Sequence, residues 1–274
     1  MAVAVAAPVD LKAIKARQRA TWADGDFGVI GTTTYITSEL LVEAAAVRAG
    51  ETVLDVATGT GNAAIAAARR WGAATGVDYV PALLERARER AVAERLPIQF
   101  MDGDAEELPF GDSTFDAVLS VYGTMFAPDQ TKAASELVRV AKPAGRIGLA
   151  SWSPQGFIGH LFKTIGKYVP PPAGLRSPMT WGTEEGIQEL LGERLSGLRF
   201  TRQQFVFNYA SPEHFLHVFR TYYGPTVRAF AALDEHGQVA LAADIVALAH
   251  QFNPLGESRM AVPSDYLEVV GTVR

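Results

Sequence analysis

The chain has 274 residues, 48% hydrophobic and 20% charged, enough for one large α/β domain with an elaboration and unlike a disordered or fibrous composition. Its 25 Lys and Arg against 30 Asp and Glu leave a formal charge of -5, which argues against binding a nucleic-acid backbone; the densest basic run, Arg86-x-Arg88-x-Arg90, alternates with Glu85 and Glu89 as a solvated helix face does. With no cysteine there is no disulfide, thiolate nucleophile or cysteine-held metal; no metal site is expected, and the cytoplasm is the expected compartment.

In chain order, Met1-Ala-Val-Ala-Val-Ala-Ala7 is apolar but lacks a basic start and is interrupted by Pro8 and Asp10, so it reads as a frayed end rather than a targeting segment. Residues 11–20 carry Lys and Arg at helical spacing, residues 21–28 form a turn-rich break, and residues 38–48 predict a helix closed by Gly50. Residues 1–37 are expected to form a helical cap segment ahead of a main domain over residues 38–274.

The stretch Val53-Leu-Asp-Val-Ala-Thr-Gly-Thr-Gly61-Asn62 carries the most information. Val53, Leu54 and Val56 predict a buried parallel strand, Gly59 and Gly61 permit positive φ and close backbone approach, and residues 62–70 predict an alanine-rich helix. Two cofactor classes use such a turn. Gly59-Thr-Gly61-Asn-Ala-Ala64 fits the relaxed dinucleotide pattern G-x-G-x-x-A, but a nicotinamide-dependent dehydrogenase has no evident use for Asp55. S-adenosylmethionine, which carries an ammonium and a sulfonium, does. The alternative for Asp55 is structural: ordering the turn by accepting backbone N–H bonds.

Residues 74–78 predict a second strand ending in Asp78, at the spacing where an acid reaches ribose hydroxyls, with Tyr79 placed to stack on adenine. Pro81 opens a helix over residues 82–95, residues 98–102 predict a third strand leading to Asp104-Ala105, and residues 115–120 a fourth. A helix from Asp129 or Thr131 is expected to end at Lys142-Pro-Ala-Gly145, before a fifth strand over residues 146–152. This alternation implies a parallel sheet with helices on both faces and ligands at the carboxyl ends of its strands. Beyond Trp152, Val169-Pro-Pro-Pro-Ala-Gly174 is a stiff connector, and residues 198–209 and 266–273 predict two end strands. The helices of residues 212–252 between them are the expected substrate-binding insertion; the apolar run at residues 239–249 contains Asp244 and falls short of the about twenty residues of a bilayer crossing.

Together, Leu54-Asp-Val-x-x-Gly-x-Gly61, Asp78, Asp104-Ala105, Leu108-Pro-Phe110, Ser113-x-Phe-Asp116 and Leu137-x-Arg-Val-x-Lys-Pro-x-Gly145 resemble the class I S-adenosylmethionine-dependent methyltransferases. The likeness runs over residues 40–152 and is nearest to the ubiquinone/menaquinone-biosynthesis (methyltransferase type 11) kind. It implies a Rossmann-like seven-stranded, mostly parallel sheet with an antiparallel final strand and a helical insertion near the C-terminus. It implies S-adenosylmethionine as cofactor and S-adenosylhomocysteine as product. Asp55, Ala57, Thr58, Gly59, Gly61 and Asn62 would then hold the methionine end, Asp78 the ribose, and Tyr79, Asp104 and Ala105 the adenine. Ser120, Val121 and Tyr122 would line the floor under the sulfonium, and Trp22, Phe27 and Tyr35 the active site. Ala57 stands where the family usually has the first loop glycine and Ala144 where a glycine is common; positive φ is costly for alanine, so ordinary angles are expected at Ala57.

Methyl transfer from a sulfonium is an in-line displacement that needs alignment and a dry path rather than a fixed catalytic motif. A general base helps only an acceptor of high pKa, and His160, just past the fifth strand, is the candidate. Tyr222 and Tyr223, with the aromatic content of the insertion, point to an apolar or aromatic small-molecule acceptor. A protein that binds the cofactor without transferring methyl is the alternative from another class, and a homodimer is the expected oligomer on general grounds.

Overall fold

The computed structural model describes residues 10–256 and 259–274; the opening run read above as a frayed end lies outside them. Helices α1 (Leu11–Ala23), α2 (Phe27–Thr33) and α3 (Tyr35–Ala44) precede the sheet. Asp10 caps α1 through Ala13 N, Asp26 caps α2 through Gly28 N, and Gly25 at φ +70° turns the corner between them. The break expected over residues 21–28 therefore holds the end of one helix and the start of another. The chain leaves α3 earlier than expected, because Ala46 takes φ +50° and Val47 N bonds Val42 O, a Schellman closure that brings Val47 into the core.

Strands β1 (Thr52–Val56), β2 (Ala73–Asp78), β3 (Gln99–Asp102), β4 (Phe115–Val121), β5 (Ala141–Trp152), β6 (Leu195–Tyr209) and β7 (Met260–Val273) form one sheet in the order β3-β2-β1-β4-β5-β7-β6. The first five are parallel, and β7 lies antiparallel between β5 and β6, as expected of the final strand. Crossovers are made by α4 (Asn62–Ala68), α5 (Pro81–Ala93) and α6 (Gln130–Val140); α7 (Phe157–Tyr168) and α8 (Glu184–Leu191) follow β5. The insertion comprises α9 (Pro212–Tyr222), α10 (Gly224–Ala231) and α11 (Glu235–Phe252). Val53, Leu54, Val118 and Leu119 are fully buried, and the small side chains of α4 let that helix settle onto β1 and β2.

Two strands begin well before the expected residue, β5 at Ala141 and β7 at Met260, and β6 begins three residues early at Leu195. Lys142-Pro-Ala-Gly145 belongs to β5 rather than to the end of α6: Ala141 pairs with Phe115, a bulge follows, and Ala144 turns the chain at φ +61°. β7 begins at Met260, ahead of Pro263, which is tolerated because this part of β7 extends past the last β5 partner, Trp152 opposite Tyr266, and pairs only with β6. Among the described residues, no helix is long and apolar enough to cross a membrane.

Candidate active site

From β1 the chain first builds outward through β2 and β3, then returns to place β4 on the other side of β1. Open α/β sheets bind ligands above such a switch point. A cleft lies there, enclosing about 910 Å³ with its open mouth included.

The β1–α4 turn forms its floor. Asp55 is buried and accepts through Oδ2 from Thr58 Oγ1 at 2.5 Å and Ala64 N at 2.9 Å, so it orders the turn in the way the structural alternative described, while also lining the cleft. Burial pushes its carboxyl up to about 7 against the pull of those hydrogen bonds. Ala57, Thr58, Gly59 and Asn62 line the cleft; Gly61, at φ +88°, caps α4 behind them, where a Cβ would come within 3.1 Å of Ala87 and Phe100. Ala57 departs from expectation, standing at φ +53°. The turn leaves it no choice: Thr58 N is drawn to Val77 O and Gly59 N to Asp78 Oδ2, each at 2.9 Å, and left-handed angles cost an L-residue roughly 1–2 kcal/mol.

At the tip of β2, Asp78 accepts from Gly59 N through Oδ2 and from Val80 N through Oδ1, both at 2.9 Å. Burial raises its carboxyl to about 6 despite those bonds. Tyr79, Asp104 and Ala105 line the cleft beyond it. Lys15 of α1 reaches over to Asp104 at 2.6 Å and to Glu106 at 2.5 Å. Burial pulls the Lys15 ammonium down, but the two carboxylates outweigh it and hold it above its ordinary value. Four acids, Asp55, Asp78, Asp104 and Glu106, thus border a cleft in which Lys15 is the lining cation among the described residues, a field that favours a positively charged ligand.

At the end of β4, Ser120 does not reach the cleft: its hydroxyl donates to Val56 O at 2.8 Å and accepts from Thr124 N at 3.1 Å, tying β4 to β1. Val121 and Tyr122 do line it. Tyr122 holds φ +58°, stacks on Trp152 at 3.9 Å and 3°, and meets Thr37 Oγ1 at 3.2 Å. The opposite wall is aromatic. Trp22 packs edge-to-face on Phe27 at 5.8 Å and on Phe126 at 5.1 Å, and all three line the cleft.

Several expected residues lie elsewhere. Tyr35 bonds Glu39 and carries the Arg69 guanidinium 4.7 Å over its ring, because the first turn of α3 points toward the end of α4. His160 packs on Phe252 at 5.1 Å between α7 and α11, outside the cleft, so it is not positioned as a base. The insertion contributes no lining residue: Tyr223 supports Trp22 from behind at 5.7 Å, and Tyr222 sits where its backbone meets Gly25. Lining residues missed in the sequence include Lys15, Thr34, Glu106 and Phe126-Ala-Pro128. The last group follows the fourth strand, so the carboxyl-end rule was available to find it; Lys15, 89 residues from Asp104, left no such signal.

Comparison with known proteins bears on this cleft. A family model described as a methyltransferase domain matches residues 53–145, which span β1 to the start of β5. The uncharacterized protein Rv1405c of Mycobacterium tuberculosis is 37% identical over 244 residues, 87% of this chain and 89% of that protein. Demethylmenaquinone methyltransferase of Deinococcus radiodurans is 40% identical over 126 residues, 44% of this chain and 52% of that enzyme. The crystal structure of the YcgJ protein of Bacillus subtilis shares the fold, with a TM-score of 0.60 at 21% identity, over 87% of this chain and 98% of that one.

Proposed function

The chain belongs to the class I S-adenosylmethionine-dependent methyltransferases, with S-adenosylmethionine as methyl donor, and on that premise we propose that it methylates a small apolar or aromatic acceptor by in-line displacement. One observation carries the acceptor class: the acidic turn of Asp55 and Asp78 and the aromatic wall of Trp22, Phe27 and Phe126 border the same cleft.

The residues present fit the donor. Buried carboxylates with raised proton affinity favour a cationic partner, and the Gly59 backbone permits close approach. Asp55 and the Thr58–Gly59 backbone would receive the methionine end, Asp78 the ribose, and Tyr79, Asp104 and Ala105 the adenine. Val121 and Tyr122 would lie under the sulfonium. When bound, S-adenosylmethionine supplies an electrophilic methyl carbon on a good leaving group.

The chain's own task is then alignment and dryness. Trp22, Phe27 and Phe126 hold the acceptor's apolar body and exclude water, and the Trp152 stack fixes Tyr122 so that the acceptor meets a rigid face. No histidine lines the cleft among the described residues, so an acceptor atom that is nucleophilic without base assistance suits it best. Residues 10–37 act as a cap over the donor, locked by Lys15, and residues 212–252 brace the aromatic wall through Tyr223.

Incubation with methyl-tritiated S-adenosylmethionine and a panel of small phenols, quinols, aromatic amines and aliphatic acids tests the reading. Label transfer to an aromatic or apolar member is expected. Tight binding of S-adenosylhomocysteine with transfer only to the aliphatic acids would reject the acceptor class.

A further inference from the structure

Of the three arginines in the basic run of α5, two lie on the solvated face that the sequence predicts: Arg86 and Arg88 are exposed and pair with Glu89 and Glu85 at 3.0 and 3.2 Å. Arg90 does not. It is half-buried, and burial lowers its proton affinity. Glu94, one turn further on, pairs with Arg69 at 2.6 Å instead, and among the described residues no carboxylate forms an ion pair with Arg90. Its contacts are with neutral oxygens: Nη1 donates to Thr60 O at 2.6 Å and to Asn62 Oδ1 at 2.7 Å, with Thr60 Oγ1 at 3.2 Å. A cation drawn out of water without an opposite charge is costly, and this one is held by charge-assisted hydrogen bonds to two residues that both line the reaction cleft.

The turn passes the constraint on to α2. Asn62 Nδ2 donates to Gly31 O at 2.8 Å, so the amide that accepts from Arg90 also fastens α2. That helix lies so close to the turn that a Cβ on Gly31 would stand 2.8 Å from Thr60 Oγ1 and 3.4 Å from Phe27 Cε1. A Cβ on Gly59 would meet the same Phe27 atom at 3.6 Å, so the Phe27 ring lies against the glycine beside which the donor's methionine end would sit.

We propose that Arg90 is a positioning residue of the donor site: it holds Thr60 and Asn62 in the turn and, through Asn62, fixes α2 so that Phe27 closes over the donor's methionine end. Arg90 itself does not line the cleft. The inference rests on the donor placement given above and is independent of the acceptor class. Because all three contacts fall on one nitrogen, a lysine ammonium can replace some of them and a methionine none.

The test compares, by calorimetry on the full chain, S-adenosylhomocysteine with methylthioadenosine, which keeps the adenosine and the sulfur but lacks the amino-acid end. Arg90→Met is expected to weaken S-adenosylhomocysteine about tenfold and methylthioadenosine by less than about twofold, while Arg90→Lys brings the loss back to about threefold. Gly31→Ala pushes α2 off Thr60 and leaves Arg90 in place, and the same selective loss is expected of it. Circular dichroism melts establish that each variant is folded at the assay temperature. An equal loss of both ligands, as a merely structural role would give, or an unchanged S-adenosylhomocysteine affinity in folded Arg90→Met, overturns the proposal. Should that variant not fold, Arg90→Lys and Gly31→Ala decide, and the absence of a selective loss in both overturns it. A wild type that binds neither ligand overturns the donor placement, and this inference with it.

Discussion

Ala57 and Gly123 meet across the tips of β1 and β4 so closely that a Cβ on Gly123 would lie 2.6 Å from the Ala57 Cβ and 2.6 Å from its carbonyl oxygen. The Ala57 side chain, on a backbone held at φ +53°, finds room there because Gly123 has no side chain. Ala57→Gly is expected to stabilise the chain by about 0.5–1 kcal/mol, the relieved strain exceeding the added freedom of the unfolded chain. Gly123→Ala is expected to cost about 2 kcal/mol or more, and less in the Ala57→Gly background, a coupling between touching residues. Urea unfolding of the two single variants and the double variant measures it; strict additivity would show that the two loops do not share the contact.

Both buried cleft carboxyls hold their protons above the ordinary 3.8, Asp78 to about 6 and Asp55 to about 7. Between about pH 4 and 7 the folded chain binds protons that the unfolded chain releases, so their contribution to stability is greatest at low pH and is lost as pH rises through those values. A donor that turns its α-ammonium or sulfonium toward them would prefer the charged carboxylates. S-adenosylmethionine affinity should therefore rise from about pH 5.5 to 7.5, with proton release on binding, visible by calorimetry in buffers of different ionisation enthalpy. A flat affinity across that range would remove Asp55 from the donor site.

Asp78→Asn tests the ribose role. Loss of the charged acceptor is expected to weaken S-adenosylhomocysteine by about 10- to 100-fold. Because Asp78 also holds Gly59 N and Val80 N, some stability goes with it. Circular dichroism at the assay temperature separates the two effects, and an unchanged dissociation constant in a folded variant rejects the role.

Lys15 of α1 pairs with Asp104 and Glu106 at the cleft, and Glu106 has only 3% of its side chain exposed while also accepting from Asp129 N at 2.7 Å. Lys15→Met leaves that carboxylate without its cation, and a loss of about 1–3 kcal/mol in denaturant unfolding is expected. Stopped-flow release of S-adenosylhomocysteine should be faster in Lys15→Met and near wild type in Lys15→Arg. Equal release rates in all three would show that α1 does not gate the donor.

The aromatic wall should act on the acceptor alone. Phe126→Ala is expected to raise KM for the acceptor about tenfold or more while S-adenosylhomocysteine affinity stays within about twofold. His160→Ala, outside the cleft, should leave kcat and its pH profile unchanged; a lost basic limb would restore the histidine as a base.

Much of this molecule is written locally. The apolar run of Val53, Leu54 and Val56 followed by Gly59 and Gly61 specifies a buried strand and a sharp turn through the preferences of residues within a few positions of one another, and Pro81 and Asp129 mark helix starts in the same way. Strand–helix alternation then set the sheet, and the ends of its strands located the acids that border the cleft. What depends on distant partners was decided only by the tertiary structure. The left-handed angle at Ala57 follows from hydrogen bonds to Val77 and Asp78 on the next strand, and the reach of Lys15 to Asp104 spans 89 residues. Tyr35 turned to Arg69, His160 to Phe252, and the insertion took its place behind Trp22 rather than in the cleft. Hydrophobic pattern and turn chemistry determine which element forms, but the direction a single side chain takes is settled by packing and hydrogen bonding between elements far apart in the chain.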